Sequence, residues 1–347
     1  MTSTRDLLFA LTRQRFAAAH QARVEDLCQR APVDWASVCQ VAASEGVAPI
    51  VGVNLAACAP EKTNVPAGVT ARLQHALFEN VALKVERRRE FGEQLIQLRA
   101  RGYDVLLVKS MGLEAAGVYE HSWVTSARDV DIILRAKDVR GESPDNAQFR
   151  RVLDGTYGIE NGDRTGHHDL SLSGIVSLPF DDLWHAARAV RLDWAPAAAY
   201  VMCPENQLWT LCLNSCRKRF FRLKTLFDIA ETVAHYPDLD WEYFAKLVRT
   251  SKSEGIAFAA LRAADDTLGL PAEARPCVSA LLSRRRAFVL GSIVTLLLRS
   301  QSGRVARTAL QYASFTPKQR WRSVKLSARR LSHHTAAERA DAQLPGE

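Results

Sequence analysis

Apolar residues recur every three to four positions through the first part of the chain: Leu7, Leu8, Leu11 and Phe16, then Val38, Val41, Ala42 and Ala43. That period draws one apolar stripe along a helix, so residues 1–95 read as a helical region. A polar loop bounded by Pro60 and Pro66 interrupts it. A long helix is then predicted over residues 69–101, with Leu73, Leu77, Val81, Leu83 and Val85 in its apolar stripe. Its charges, such as those from Glu86 to Glu90, are spaced for ion pairs along the helix.

At Gly102 the pattern changes. Residues 103–108 (YDVLLV) form a short, nearly continuous apolar run, as in a strand buried on both faces. Lys109-Ser110-Met111-Gly112 follows and opens a helical stretch to about Tyr119. Residues 130–134 (VDIIL) predict a second buried strand, and the alternation of residues 169–173 (DLSLS) a third. Helical spacing returns after Pro204, which stands where a helix can start, with Leu208, Leu211 and Cys212 on one side. Residues 223–233 continue in the same style. The class is therefore α+β. A small mixed-sheet core at residues 96–200 is flanked by helical regions at 1–95 and 201–347, the latter with a basic tail.

Composition adds limits. With 47% apolar and 24% charged residues, the chain can bury a sizeable core. Its seven cysteines are scattered with no C-x-x-C pair, the usage of reduced thiols filling a core. The N-terminus lacks a signal-peptide pattern, and the longest apolar stretch, residues 287–298, is about half of a membrane span. No transmembrane segment and a cytoplasmic location are expected. The net charge of +8 is uneven: residues 276–337 hold twelve Lys/Arg and no Asp/Glu. Such a block attracts polyanions, whether nucleic acid, an anionic membrane face or a phosphorylated substrate. A solvated basic helix pair is the plainer reading.

The sharpest candidate chemistry is Arg128-Asp129-Val130-Asp131-Ile132. Side chains alternate along a strand, so Asp129 and Asp131 would project from one face, about 7 Å apart. Two hard carboxylates there suit magnesium, which also keeps water and substrate phosphate in its shell. Their mutual repulsion predicts that Asp→Asn at either position leaves stability unchanged or slightly improved. Upstream, the strand ending at Lys109-Ser110 opens a helix, a turn suited to phosphate. Either motif alone is weak; their order, phosphate turn then acidic strand, carries the signal.

That order is similar to the nucleotidyltransferase superfamily typified by DNA polymerase β. More closely, the chain resembles a bacterial family of largely uncharacterised nucleotidyltransferases. The likeness rests on Glu45-Gly46-Val47-Ala48-Pro49-Ile50, on Val108-Lys109-Ser110, on Tyr119 and on residues 129–133. It extends through Cys203-Pro204-Glu205 to Arg222-Leu223-Lys224 and Asp228-Ile229-Ala230. The chain departs from the pattern at Ser110, where the turn has glycine, at Arg128 before the first acid, and at Ser171, with His167 and His168 upstream.

The resemblance implies a magnesium-dependent transferase. It would move a nucleotidyl or phosphoryl group from a nucleoside triphosphate to a hydroxyl acceptor such as a small molecule, peptide or RNA. Asp129, Asp131 and Asp169 would then be the catalytic and metal-binding acids. Lys109, Ser110 and Arg128 would contact the nucleotide. Arg217, Lys218, Arg219, Arg222 and Lys224 would close on its phosphates from the helical region. The alternative is a degenerate nucleotide- or nucleic-acid-binding accessory protein without turnover.

Overall fold

The strand β1 (Tyr103–Val108) lies at the centre of a five-stranded sheet. Val105, Leu106, Leu107 and Val108 are all buried, as the unbroken apolar run requires. The computed structural model describes residues 4–124, 130–136, 157–159, 167–168, 176, 178–299, 304–321 and 323. One edge of β1 pairs antiparallel with β2 (Val130–Ala136), from Tyr103↔Ala136 to Val108↔Asp131. Beyond β2 lies β3 (Tyr157–Ile159), in parallel. A separate two-stranded ladder joins β4 (His167–His168) to β5 (Leu178–Pro179). The strand expected over residues 169–173 falls outside the described residues.

The other edge of β1 carries a hairpin that the hydropathy pattern does not announce. Strands β6 (Arg188–Leu192) and β7 (Ala195–Val201) pair antiparallel. β7 meets β1 in parallel through Leu106↔Tyr200 and Leu107↔Val201. The sheet order is thus β3-β2-β1-β7-β6, a mixed sheet.

Among the described residues six helices precede the sheet, beginning with α1 (Thr4–Leu11), α2 (Ala18–Arg30), α3 (Trp35–Glu45), α4 (Ala48–Ala56) and the short α5 (Pro60–Thr63). The long α6 (Ala67–Ala100) matches the predicted helix in extent. Its buried face differs. Val81, Leu83 and Val85 are exposed, whereas Leu73, Asn80, Lys84, Phe91, Leu95 and Leu98 are buried. These inward positions follow a spacing of three, four and seven, so polar Asn80 and Lys84 sit within the packed stripe. Asn80 Nδ2 donates to Trp123 O at 2.8 Å, and Lys84 Nζ lies 3.2 Å from Glu114 Oε2 and donates to Ser122 O. Hydrogen bonding to buried carbonyls thus replaces hydropathy at these two positions.

After the strand come α7 (Lys109–Ala115) and, past β5, α8 (Phe180–Leu183). The C-terminal layer comprises α9 (Pro204–Arg217), α10 (Leu223–His235), α11 (Trp241–Thr250), α12 (Glu254–Leu268), α13 (Ala274–Ala280), α14 (Arg284–Arg299) and α15 (Arg304–Ser314). Trp209, Phe227 and Phe244 are fully buried there, and Trp209 Nε1 donates to Ser251 Oγ and Ser253 Oγ at 3.1 and 3.0 Å. One hydrophobic cluster runs from Leu7 to Phe315, so the helical regions and the sheet share a core. No described helix is long and apolar enough to cross a membrane.

Candidate functional site

The register of β1 and β2 sets Asp131 opposite Val108, the last residue of β1. The next residue, Lys109, adopts a left-handed backbone with φ of 53° as the chain leaves the sheet for α7. A non-glycine residue there carries conformational strain and persists only where its surroundings hold it. Lys109 Nζ meets Asp131 Oδ1 at 2.8 Å, and these side chains are only 11% and 12% exposed. A largely desolvated pair of this kind holds its geometry far better than one in water. Packing tightens the same turn: a Cβ on Gly112 would lie 2.7 Å from Leu107 O, so α7 rests directly on β1.

From the opposite side comes α10. Lys224 Nζ donates to Ser110 Oγ and to Asp228 Oδ2, both at 2.7 Å. Asp228 Oδ1 accepts from Tyr119 OH at 2.6 Å. Lys224 and Asp228 are one helical turn apart, which puts both heads on one face of α10. Ser110, Lys224, Asp228 and Tyr119 thus form a continuous polar chain between α7, the segment after it, and α10. The Glu45-Gly46 segment closes the far wall. Gly46 ends α3 with φ of 75°, and Pro49 sits in the first turn of α4, so one helix stops and the next starts within two residues. Glu45 Oε2 accepts from Leu223 N at 2.7 Å, capping the start of α10.

Between these walls opens a cleft of about 400 Å³. Lys109, Arg217, Lys218, Arg222 and Lys224 supply its cations, and Asp131 and Asp228 its acids. The turn carrying Arg217 to Arg222 is held by two consecutive left-handed residues, Arg219 and Phe220, with Phe220 N donating to Ser215 O at 2.7 Å. An excess of cations over acids in a concave site focuses field onto a polyanionic ligand.

A second polar cluster shares Ser110 with the cleft lining. Glu114 Oε1 receives Arg88 Nη2 at 2.6 Å and Nε at 2.9 Å, and its other oxygen faces Lys84. Burial pushes the Lys84 ammonium below its usual range, and the adjacent Glu114 carboxylate opposes that shift. Hydropathy gave no hint of this cluster. Its only sequence signal is the polar residues Asn80, Lys84 and Arg88 recurring every four positions in the long helix.

Of the residues singled out by sequence, Lys109, Ser110, Asp131, Arg217, Lys218, Arg222 and Lys224 converge on this cleft. Arg219 instead shapes the turn. Arg128, Asp129 and Asp169 lie outside the described residues. His167 and His168 form the short strand β4. Among the described residues, no group of three or more His, Cys, Asp or Glu side chains is arranged to hold a metal ion. Asp131 nevertheless brings a hard oxygen donor to the cleft lining, the donor type magnesium takes when substrate phosphates complete its shell.

A family described as uncharacterised nucleotidyltransferase matches residues 31–141 and 166–269, more than half of the chain. The chain belongs to this nucleotidyltransferase family. No curated protein and no solved structure matches it. The matched segments contain the Gly46 turn, Lys109, Ser110, Asp131 and the α9–α10 cations, so the whole cleft falls within them. Residues after 269, including α13 to α15, fall outside.

Proposed function

We propose that this protein catalyses magnesium-dependent transfer of a nucleotidyl or phosphoryl group from a nucleoside triphosphate to a hydroxyl acceptor. The observation that carries the reading is the Lys109–Asp131 pair in the lining of a cation-rich cleft. Phosphoryl chemistry needs positioning and charge neutralisation more than covalent assistance, and this cleft offers both. Asp131, together with Asp129 and Asp169, would hold magnesium, which when bound neutralises triphosphate charge and favours ionisation of the acceptor hydroxyl.

Lys109 in this reading exchanges partners. With no nucleotide its ammonium balances Asp131; with one, Lys109 would turn to a phosphate oxygen, and magnesium held by Asp131 would supply the balancing charge. Lys224, fixed between Ser110 and Asp228, presents its charge at a set place. Arg217, Lys218 and Arg222 contact the outer phosphates, and Arg128 would join them. Orientation by fixed cations lowers the barrier because little reorganisation is left for the reaction itself.

The deciding experiment incubates the protein with magnesium, cell extract and each triphosphate labelled at the α or the γ position. Transfer of the α label to a product identifies nucleotidyl transfer, and of the γ label phosphoryl transfer. Absence of both with every nucleotide, in extract from the native host, would refute the reading.

A further inference from the structure

The basic region beyond the family match carries an amphipathic face that the cleft does not use. Helix α14 packs inward through Leu290 and Val294, and a Cβ on Gly291 would lie 3.7 Å from the Phe258 ring of α12. Its outer side exposes Phe288 at 74%, Val289 at 51% and Leu296 at 64%. Phe288, Ser292 and Leu296 follow one another at intervals of four, so they line one stripe about 12 Å long. Arg284 and Arg285 are exposed at the start of the same helix. Three bulky apolar side chains in water on one face of a helix mark a surface that something covers.

Charge selects the occupant. Helix α14 contains no acid, and neither does the rest of residues 276–337. Two acids of the neighbouring α12 are already engaged: Asp265 with Arg275 at 3.1 Å, Asp266 with Arg262 at 2.8 Å and with Thr295 Oγ1 at 2.6 Å. Beside Phe288 a groove of about 590 Å³ runs between α12, α13 and α14, continuing the apolar surface through Leu270, Val278 and Leu282. Arg262, Arg275, Arg284 and Asp265 line the same groove; Arg262 and Arg275 sit on the acids just named, so Arg284 and the exposed Arg285 are the cations offered beside the stripe. An apolar stripe flanked by arginines matches the boundary between acyl chains and anionic headgroups. A polynucleotide satisfies the arginines and leaves Val289 and Leu296 in water, since aliphatic side chains offer no stacking plane.

We infer that the Phe288–Leu296 face of α14 docks on an anionic lipid bilayer, with the arginines on lipid phosphates. The inference is independent of the transferase reading, since none of these residues lines the cleft.

The test sediments the full-length protein with phosphatidylcholine vesicles, with and without about one-third phosphatidylserine. Binding to the mixed vesicles, weak binding to pure phosphatidylcholine and reversal by salt are the expected results. Phe288→Ser/Val289→Ser/Leu296→Ser should weaken binding at least tenfold, and Arg284→Gln/Arg285→Gln roughly fivefold for each arginine removed. Melting temperatures should hold, because all five sites are exposed. If the triple variant melts early, Leu296→Gln alone carries the test, with an expected loss of about threefold. Failure to bind mixed vesicles overturns the inference. So does full binding by the folded serine variant or by Leu296→Gln, either of which would mark adsorption by charge alone. Single-stranded RNA captured equally by parent and serine variant, without vesicle binding, would also overturn it and assign the arginines to nucleic acid.

Discussion

Lys109 and Asp131 face each other across adjacent strand ends, Nζ to Oδ1 at 2.8 Å and largely out of solvent. The sequence shows an acidic pair that should repel itself; the structure gives one of those acids a cation. That changes the expected effect of neutralising it.

Asp131→Asn should therefore destabilise the fold by about 1–3 kcal/mol, because it leaves a buried ammonium beside a neutral amide. Magnesium-dependent transfer should vanish with it. Denaturant titration and labelled-nucleotide assays check both halves. Adding Lys109→Met to Asp131→Asn should recover part of the lost stability, the mark of a coupled pair. A single variant as stable as the parent would mean that the pair contributes nothing.

Tyr119→Phe removes the 2.6 Å hydrogen bond to Asp228 and lets the carboxylate and Lys224 shift. Stability should drop by about 1–2 kcal/mol. Because Lys224 is a positioning and phosphate-contacting residue in the proposed reaction, the KM for nucleotide should rise by more than kcat falls. Steady-state kinetics on the purified variant decide this, and an unchanged KM would detach Tyr119 from nucleotide binding.

Much of this architecture is legible in sequence because hydropathy fixed it. β1 and β2 stand where the apolar runs set them, since each buries such a run, and the long helix matches the expected one in extent though not in the face it buries. The β6–β7 hairpin escapes because Ala195, Ala197, Ala198 and Ala199 lack the β-branched signature of a strand, and Asp193-Trp194 is not a glycine turn. What makes it a strand is pairing with β1, a contact between distant parts of the chain. The inward face of α6 escapes for a related reason: Asn80 and Lys84 are buried by carbonyls at Trp123 and Ser122. In the cleft, Lys224 and Asp228 are readable as an i,i+4 pair. Their meeting with Tyr119 and Ser110, more than a hundred residues earlier, requires the fold.

Glu231 gives a pH-dependent signature. Burial raises its carboxyl above the ordinary range, although Gln14 N and Arg13 oppose the shift. The unfolded chain then releases this proton first, so folded protein holds more protons between the two values. Stability from this group is greatest at low pH and falls as pH rises from the ordinary carboxyl range through the folded value. Glu231→Gln should flatten that part of the curve. Urea unfolding of both proteins across acidic to neutral pH measures the difference.

Cysteine reactivity should be selective. Burial pushes Cys203 and Cys216 up to about 12 and Cys28 and Cys58 to about 11, and raises Cys212 as well. The thiolate is the reactive form, so these sites should resist alkylation in folded protein at neutral pH. Cys277, half-buried on α13, should label first. Peptide mapping after brief iodoacetamide treatment tests the order, and early labelling of Cys212 or Cys216 would contradict the packing of α9.

The hydrogen-bonded run from Ser110 to Tyr119 passes through a helix that begins only at Leu223. A fragment ending near residue 200 would keep the acidic strand and the lysine turn, yet lose the ammonium that grips Ser110 and the carboxylate that receives Tyr119. For the proposed transfer, the site is therefore not separable from the later helices: the smallest unit that keeps it intact must reach at least through α10, however self-sufficient the sheet looks.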